Sequence, residues 1–226
     1  MDRTRDDTEP PGGDGAQYAG RMSAAFDQSR YQIRLEWGVD GLARLAASEI
    51  VVVVDVLTFS SRAADTVATG GQVALADAEE TDAVRVARAA AASGALVLLG
   101  SLRNASAVAG AVLDEQRRRG ARTSVAVIAV GETAEGSQRV TVEDQLGAGA
   151  VIDALGALGL DHTSPEAAAS CEAFRGLRRA VKHLITASGS GQVLLERDAR
   201  DEALAAAAVD AVEAVPVLRE GVFVAV

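Results

Sequence analysis

Apolar residues gather in three nearly continuous blocks, Ile50-Val51-Val52-Val53-Val54, Ala95 to Leu99 and Ser124 to Val130, each bounded by polar or glycine-containing turns. A strand that is apolar on both faces belongs in the middle of a covered sheet, so these blocks predict buried parallel strands. Tyr31 to Trp37 alternates instead, which predicts a half-buried strand stopped by Gly38. Helical spacing occupies the intervals: 39 to 48, the Ala-rich stretch to Thr69 that stops at Gly70-Gly71, Glu79 to Ser93 before Gly94, and a segment capped by Asn104 or Ser106 that runs to Gly120. Val142 to Leu155 and Pro165 to Ile185 follow, the latter with Ala167, Cys171, Phe174, Leu177 and Val181 at core spacing. Gln72 to Ala76 reads as a weak strand, and Val215 to Phe223 as a short terminal ribbon. Strand and helix alternate, so an α/β fold is predicted, with a parallel or mixed sheet flanked by helices.

Residues 1 to about 28 lack any period and are rich in Asp, Gly and Pro, which predicts a disordered leader before one α/β domain over 29–226, with division into two lobes left open. Hydrophobic residues make up 49% of the chain and charged ones 24%, an ordinary globular balance. The formal net charge of -10 argues against nucleic acid, whose phosphates need a basic face. Lys182 is the lone lysine, so arginine carries any recognition of an anion. With one cysteine, Cys171, no intramolecular disulfide forms. No apolar run reaches bilayer length and no secretory h-region opens the chain, so the expectation is a cytoplasmic protein with no membrane partner.

Candidate chemistry sits where the apolar blocks end. Asp55 follows four valines, and a carboxylate there either caps the next helix or faces an ion at a strand end. Ser101, Arg103, Asn104 and Ser106 cluster at a helix start, where N–H groups and a guanidinium suit an anionic substrate; the alternative is Asn104 as a cap beside a solvated Arg103. Glu143 and Asp144 open another helix, and adjacent side chains there diverge, so one caps while the other faces the cleft. Glu132 lies upstream across a flexible loop through Glu135-Gly136-Ser137. Oxygen ligands from Asp55, Glu132 and Glu143 would suit Mg²⁺, since two histidines, His162 and His183, are too few for a histidine-rich site. Cys171, at a core position with no histidine placed to activate it, reads as inert. Nucleotide binding is disfavoured by the lack of GxGxxG after the first strand and of a Walker lysine.

Three ordered blocks, Val53-Val54-Asp55-Val56-Leu57-Thr58-Phe59-Ser60, Gly100 to Ala109 and Glu143 to Ala150, resemble signature blocks of the 2-phosphosulfolactate phosphatases. Ala187-Ser188-Gly189-Ser190-Gly191 through Val215 to Gly221 is similar to that family's ending. The resemblance implies a Mg²⁺-dependent hydrolase on a distinctive α/β fold, assembled as a homodimer. It would convert 2-phospho-3-sulfolactate to 3-sulfolactate and phosphate, an early step of coenzyme M synthesis. It also implies catalytic roles for Asp55, Glu143 and Asp144, and substrate contacts from Ser101, Arg103, Asn104 and Ser106.

The chain departs from the family pattern in two places. Thr58 and Arg62 stand where the family often has an arginine and a small or β-branched residue. Between Gly94 and Gly100 a long insert with a glycine-rich acidic block and a Thr-Asn-Gly-like loop is missing, so part of the substrate and metal site is expected to be absent. Two functions therefore remain open: hydrolysis of a phosphate monoester of a small acidic hydroxy acid by Mg²⁺-activated water, or noncatalytic anion binding on a retained scaffold.

Overall fold

The apolar blocks pair side by side at the centre of a seven-stranded sheet in the computed structural model, which describes residues 25–226. In chain order the elements are β1 (Ile33–Trp37), α1 (Gly38–Arg44), β2 (Ile50–Val54), α2 (Phe59–Ala68), β3 (Val73–Ala74), α3 (Asp82–Ala92) and β4 (Leu96–Gly100). A 3₁₀ turn (Leu102–Asn104) leads to α4 (Ala105–Arg119), β5 (Val125–Ala129) and the hairpin β6 (Glu132–Ala134) and β7 (Ser137–Arg139). Then come α5 (Val142–Ala157), α6 (Pro165–Leu177), α7 (Val181–Ala187), α8 (Gly189–Glu196), α9 (Arg200–Ala206), β8 (Pro216–Arg219) and β9 (Val222–Ala225).

The sheet order is β1-β5-β2-β4-β8-β9-β3. Its first four strands are parallel and the last three extend it antiparallel, so the sheet is mixed. Strand alternation divides the core. Ile50, Val52 and Val54 face α4, α5 and α6, while Val51 and Val53 face α2 and α3. All five residues of β2 are buried, as a central parallel strand requires. Burying a side chain of valine or leucine size contributes about 1.5–3 kcal/mol, so these two layers dominate the fold's stability.

Several expectations need correction. β1 is not half-buried: Arg34 is only 5% exposed and covers its outer face. Its guanidinium donates to the carbonyls of Tyr31 and Ala46 at 3.0 and 2.8 Å, so the charge is solvated by backbone oxygen in place of water. The expected leader, residues 1 to about 28, lies mostly outside the described residues. Gln28 is buried and its amide both donates to the Leu35 carbonyl and accepts from the Leu35 N–H, closing the free edge of β1. The predicted single helix 165–185 breaks after Leu177 into a 3₁₀ turn before α7, next to Gly176, which holds helical dihedrals weakly. The loop through Glu135-Gly136-Ser137 is the turn of the β6–β7 hairpin, with both Glu135 and Gly136 at positive φ. At Gly94 the chain passes by one turn directly into β4, whose register with β2 is unbroken from Leu96 to Gly100. The sheet therefore closes without the family's insert.

Glu115 near the end of α4 accepts from Arg118 and Arg119, each at 2.6 Å. Those hydrogen bonds, Arg118 first, hold its carboxyl at about 2, down from an ordinary 4.5. A depressed carboxyl stabilises the fold above its unfolded value and loses that contribution as pH falls from about 4.5 through about 2. Glu115→Gln is therefore expected to lower the melting temperature at pH 6 and to converge on the native chain near pH 2. Melting curves that stay parallel over this range would remove the assignment.

Candidate functional site

The helices after β2 and β5 leave on opposite faces of the sheet, since α2 packs with Val51 and Val53 while α5 packs with Val52 and Val54. Two adjacent parallel strands whose connections diverge leave a crevice at their carboxyl ends, the usual ligand position in open α/β sheets. A cavity of about 200 Å³ occupies that position, lined by Asp55 after β2, Val130 to Glu132 after β5, Glu143 and Asp144 from α5, and Asp82 and Ser190 at its walls.

Each acid has a distinct place. Asp55 Oδ2 accepts from the Thr58 hydroxyl at 2.9 Å and the Phe59 N–H at 3.1 Å, so this oxygen caps α2 while the other is left for the cavity. Asp144 is 3% exposed, and both oxygens are engaged: Oδ1 accepts the Val56 N–H at 2.8 Å, and Oδ2 the Gly131 N–H at 2.8 Å and the Thr141 hydroxyl at 3.0 Å. It ties the ends of β2 and β5 to the start of α5. Glu143 is equally buried and makes no hydrogen bond within the described residues; its carboxylate lines the cavity. The pair does diverge, but neither acid caps α5 as expected: Asp144 turns to the strand ends, and the start of the helix has no side-chain cap. Glu132, at the mouth, is more than half exposed and lies 3.8 Å from Arg139.

Close packing brings α5 over Asp55. A β-carbon at Gly147 would meet the side chains of Val54 and Val56, and one at Gly149 the Ser170 carbonyl, so only glycine lets the helix sit this near β2 and α6. The first turn of α5 favours its two acids electrostatically. Burial works against them. Burial raises the Asp55 carboxyl above the usual range, against its hydrogen bonds to Thr58 and Phe59, and the Glu143 charge adds to the rise. Asp144 is pushed well up, by burial first and then by the Asp55 charge. Ionisation of Asp55 and of Asp144 is thus disfavoured at one point, a strain that a cation relieves.

The residues from Ser101 to Ser106 sit elsewhere. Ser101 and Asn104 are fully buried. The Asn104 side chain accepts from the Ser101 N–H at 2.9 Å and donates to the Leu99 and Ala214 carbonyls, each at 3.2 Å. Arg103 pairs with Asp65 at 2.6 Å, and the Ser106 hydroxyl donates to Asp210 at 2.8 Å. The Asp210 and Val212 N–H groups in turn donate to the Leu102 and Arg103 carbonyls. The block is a cradle for the C-terminal connection into β8, and none of its four polar side chains lines the acidic cavity. The alternative of Asn104 capping α4 beside a solvated Arg103 does not match either: Asn104 makes no side-chain cap on α4, Arg103 is paired, and Ser101 caps the 3₁₀ turn with Asn104 closing its box.

Sequence reasoning missed the other wall. Ser188-Gly189-Ser190-Gly191 reads as punctuation, yet it forms the N-terminus of α8, with the Ser188 hydroxyl accepting the Gly191 N–H at 3.1 Å. A second cavity, of about 170 Å³, lies there and is lined by Arg139, Thr141, Glu143, Gly189 and Ser190, so Glu143 and Ser190 face both spaces. Asp82 separates the acidic cavity from a larger one of about 430 Å³, where Arg85 and Arg88 are already paired with Asp82 and Glu80. Two serines alternating with two glycines before an apolar helix is the signal that could have drawn attention to this turn.

Among the described residues, no group of three or more histidine, cysteine, aspartate or glutamate side chains is arranged to hold a metal ion. Asp55 and Glu143 nonetheless fit Mg²⁺, which is commonly held by one or two carboxylates and completed by water and substrate oxygens. No helix among the described residues is long and apolar enough to cross a membrane. No curated protein matches the chain. A family model described as 2-phosphosulpholactate phosphatase matches residues 65–221, which takes in Asp82, the Ser101–Ser106 cradle, the Glu143–Asp144 pair and the Ser190 turn, and begins after Asp55. With a match over more than half its length and an acidic crevice at the sheet's switch point, the chain belongs to the 2-phosphosulpholactate phosphatase family.

Proposed function

We propose that the acidic cavity hydrolyses a phosphate monoester of a small acidic hydroxy acid, with 2-phospho-3-sulfolactate as the substrate that family membership suggests. The observation that carries this reading is the convergence of Asp55 and Glu143, each with carboxylate oxygen that no described residue engages, on one strand-end cavity. Asp55, Glu143 and, at the mouth, Glu132 are the residues that would hold Mg²⁺. Bound there, the ion would screen the phosphate oxygens and lower the pKa of an attacking water.

The chain's own contribution is positional. Thr58 and Phe59 fix the orientation of Asp55, so its second oxygen faces the cavity without a search. Asp144 is a positioning residue; its three donors keep the ends of β2, β5 and α5 at constant spacing. Glu143 makes no hydrogen bond within the described residues, so its carboxylate is available to the ion.

Phosphate release from 2-phospho-3-sulfolactate and a panel of phosphorylated hydroxy acids tests the proposal. Turnover is expected with Mg²⁺ and none with EDTA. A saturating Mg²⁺ concentration is also expected to raise the melting temperature, because an ion that binds only the folded state stabilises it. No metal-dependent turnover on any ester of the panel would defeat the enzyme reading.

A further inference from the structure

The sequence offered Ser101 to Ser106 as the anion contact, and the fold uses those groups internally. Any phosphate that meets Asp55 and Glu143 needs donors from another quarter. We propose that the phosphoryl group sits in the cavity between Arg139 and the first turn of α8, held by the Gly189 and Ser190 N–H groups and the Arg139 guanidinium. The proposal rests on the hydrolase reading for its substrate, but it makes a separate claim about where an anion binds.

Three observations converge. The cavity at this turn shares Glu132, Thr141, Glu143 and Ser190 with the acidic one, so an anion here lies next to the cation that its carboxylates and Asp55 would hold. The first-turn N–H groups of a helix have no intrahelical acceptor, and the Ser188 cap satisfies Gly191 only. Arg139 is 65% exposed and its carboxylate neighbour, Glu132, is 3.8 Å away, so this weak pair leaves the guanidinium available to a stronger anion. The independent sign of a ligand is Glu143. It is 97% buried by the 3% exposure above, lines this cavity, and has no hydrogen-bond partner among the described residues. Its carboxylate, unpaired within the described residues, opens onto the two cavities, where a cation neutralised in turn by phosphate would partner it. The glycines explain the access: a β-carbon at Gly189 would approach only the Arg139 guanidinium, at 3.8 Å, so the turn is open on the side where the anion would lie.

Gly189 occupies the first helical position, where proline suits helix geometry and differs chiefly in lacking the N–H. Gly189→Pro is therefore a near-surgical deletion of one donor, with Gly189→Ala as the control that keeps it. Calorimetric titration of the Mg²⁺-loaded protein with inorganic phosphate is the readout, with no turnover required. Gly189→Pro and Arg139→Gln are each expected to weaken phosphate binding about tenfold, the loss of one hydrogen bond to a charged group, with Gly189→Ala near the native value and the melting temperature of each variant unchanged or higher. Phosphate affinity equal to native in both Gly189→Pro and Arg139→Gln overturns the site, as does a native protein that binds no phosphate while it hydrolyses esters. If Gly189→Pro fails to fold, Arg139→Gln against Arg139→Lys decides alone. Phosphate binding that these variants weaken, in a protein that turns over no ester, would support the anion site and sink the hydrolase reading.

Discussion

Asp55→Asn is expected to reduce Mg²⁺-dependent phosphate release by about 10³-fold or more while leaving the metal-free protein as stable as the native chain. The two halves of this expectation come from the two oxygens. An asparagine carbonyl can still accept from Thr58 and Phe59, so the cap on α2 survives. The oxygen that faces the cavity becomes an amide group, which cannot bind a hard cation. Metal-free stability is unchanged or higher because burial and the Glu143 charge already oppose ionisation of Asp55. Glu143→Gln should behave likewise, since it has no protein hydrogen bond to lose. Both variants should also lose the Mg²⁺-induced rise in melting temperature. Phosphate release by Asp55→Asn within tenfold of native would show that the acidic cavity is not where the chemistry happens.

Asp144→Ala is expected to destabilise the fold by about 3 kcal/mol or more, the largest stability effect of any single change at the site. The competing terms can be weighed. Removing the carboxylate relieves repulsion with Asp55 and Glu143, which favours the variant. It also strips the Val56 and Gly131 N–H groups and the Thr141 hydroxyl of their acceptor and unlatches the ends of β2 and β5 from α5. An unpaired buried donor costs about 1–3 kcal/mol, so three outweigh the relief. Asp144→Asn should fall between the two, because one amide oxygen can serve Val56 but the NH₂ group then faces the Gly131 N–H. Urea unfolding at neutral pH measures both. A free energy for Asp144→Ala within about 0.5 kcal/mol of native, the usual scatter of surface changes, would mean that the latch has no structural role.

How far the site was readable depends on where each residue finds its partner. Asp55 was legible because four valines place it at a strand end, and few positions there are open to a carboxylate. That Glu143 and Asp144 part company was legible because successive residues in a first helical turn point apart, but the latch that Asp144 makes to the ends of β2 and β5 was not. Asn104 was misread for the opposite reason. Its acceptors and donors include Ala214, brought in by a strand 110 residues later, and no local pattern shows that its amide is already consumed. The alternation of Tyr31 to Trp37 read as a half-buried strand, but the segment at Ala46 folds over Arg34. Ser188 to Gly191 was read as a break, since the chain alone does not say which cavity a helix start faces.

Hydrophobic periodicity by itself determined the central strands, most helices, the α/β class and the position of Asp55, because these follow from neighbours within one turn or one strand. Only the tertiary structure decided strand order, and with it which carboxyl ends lie side by side. That order brings Asp144 to the Val56 N–H, next to Asp55, across 88 residues, and leaves Arg103 and Asn104 holding the C-terminal connection. The physical reason is that a polar side chain is assigned by whatever donor or acceptor reaches it first, and in this fold those groups come from distant parts of the chain.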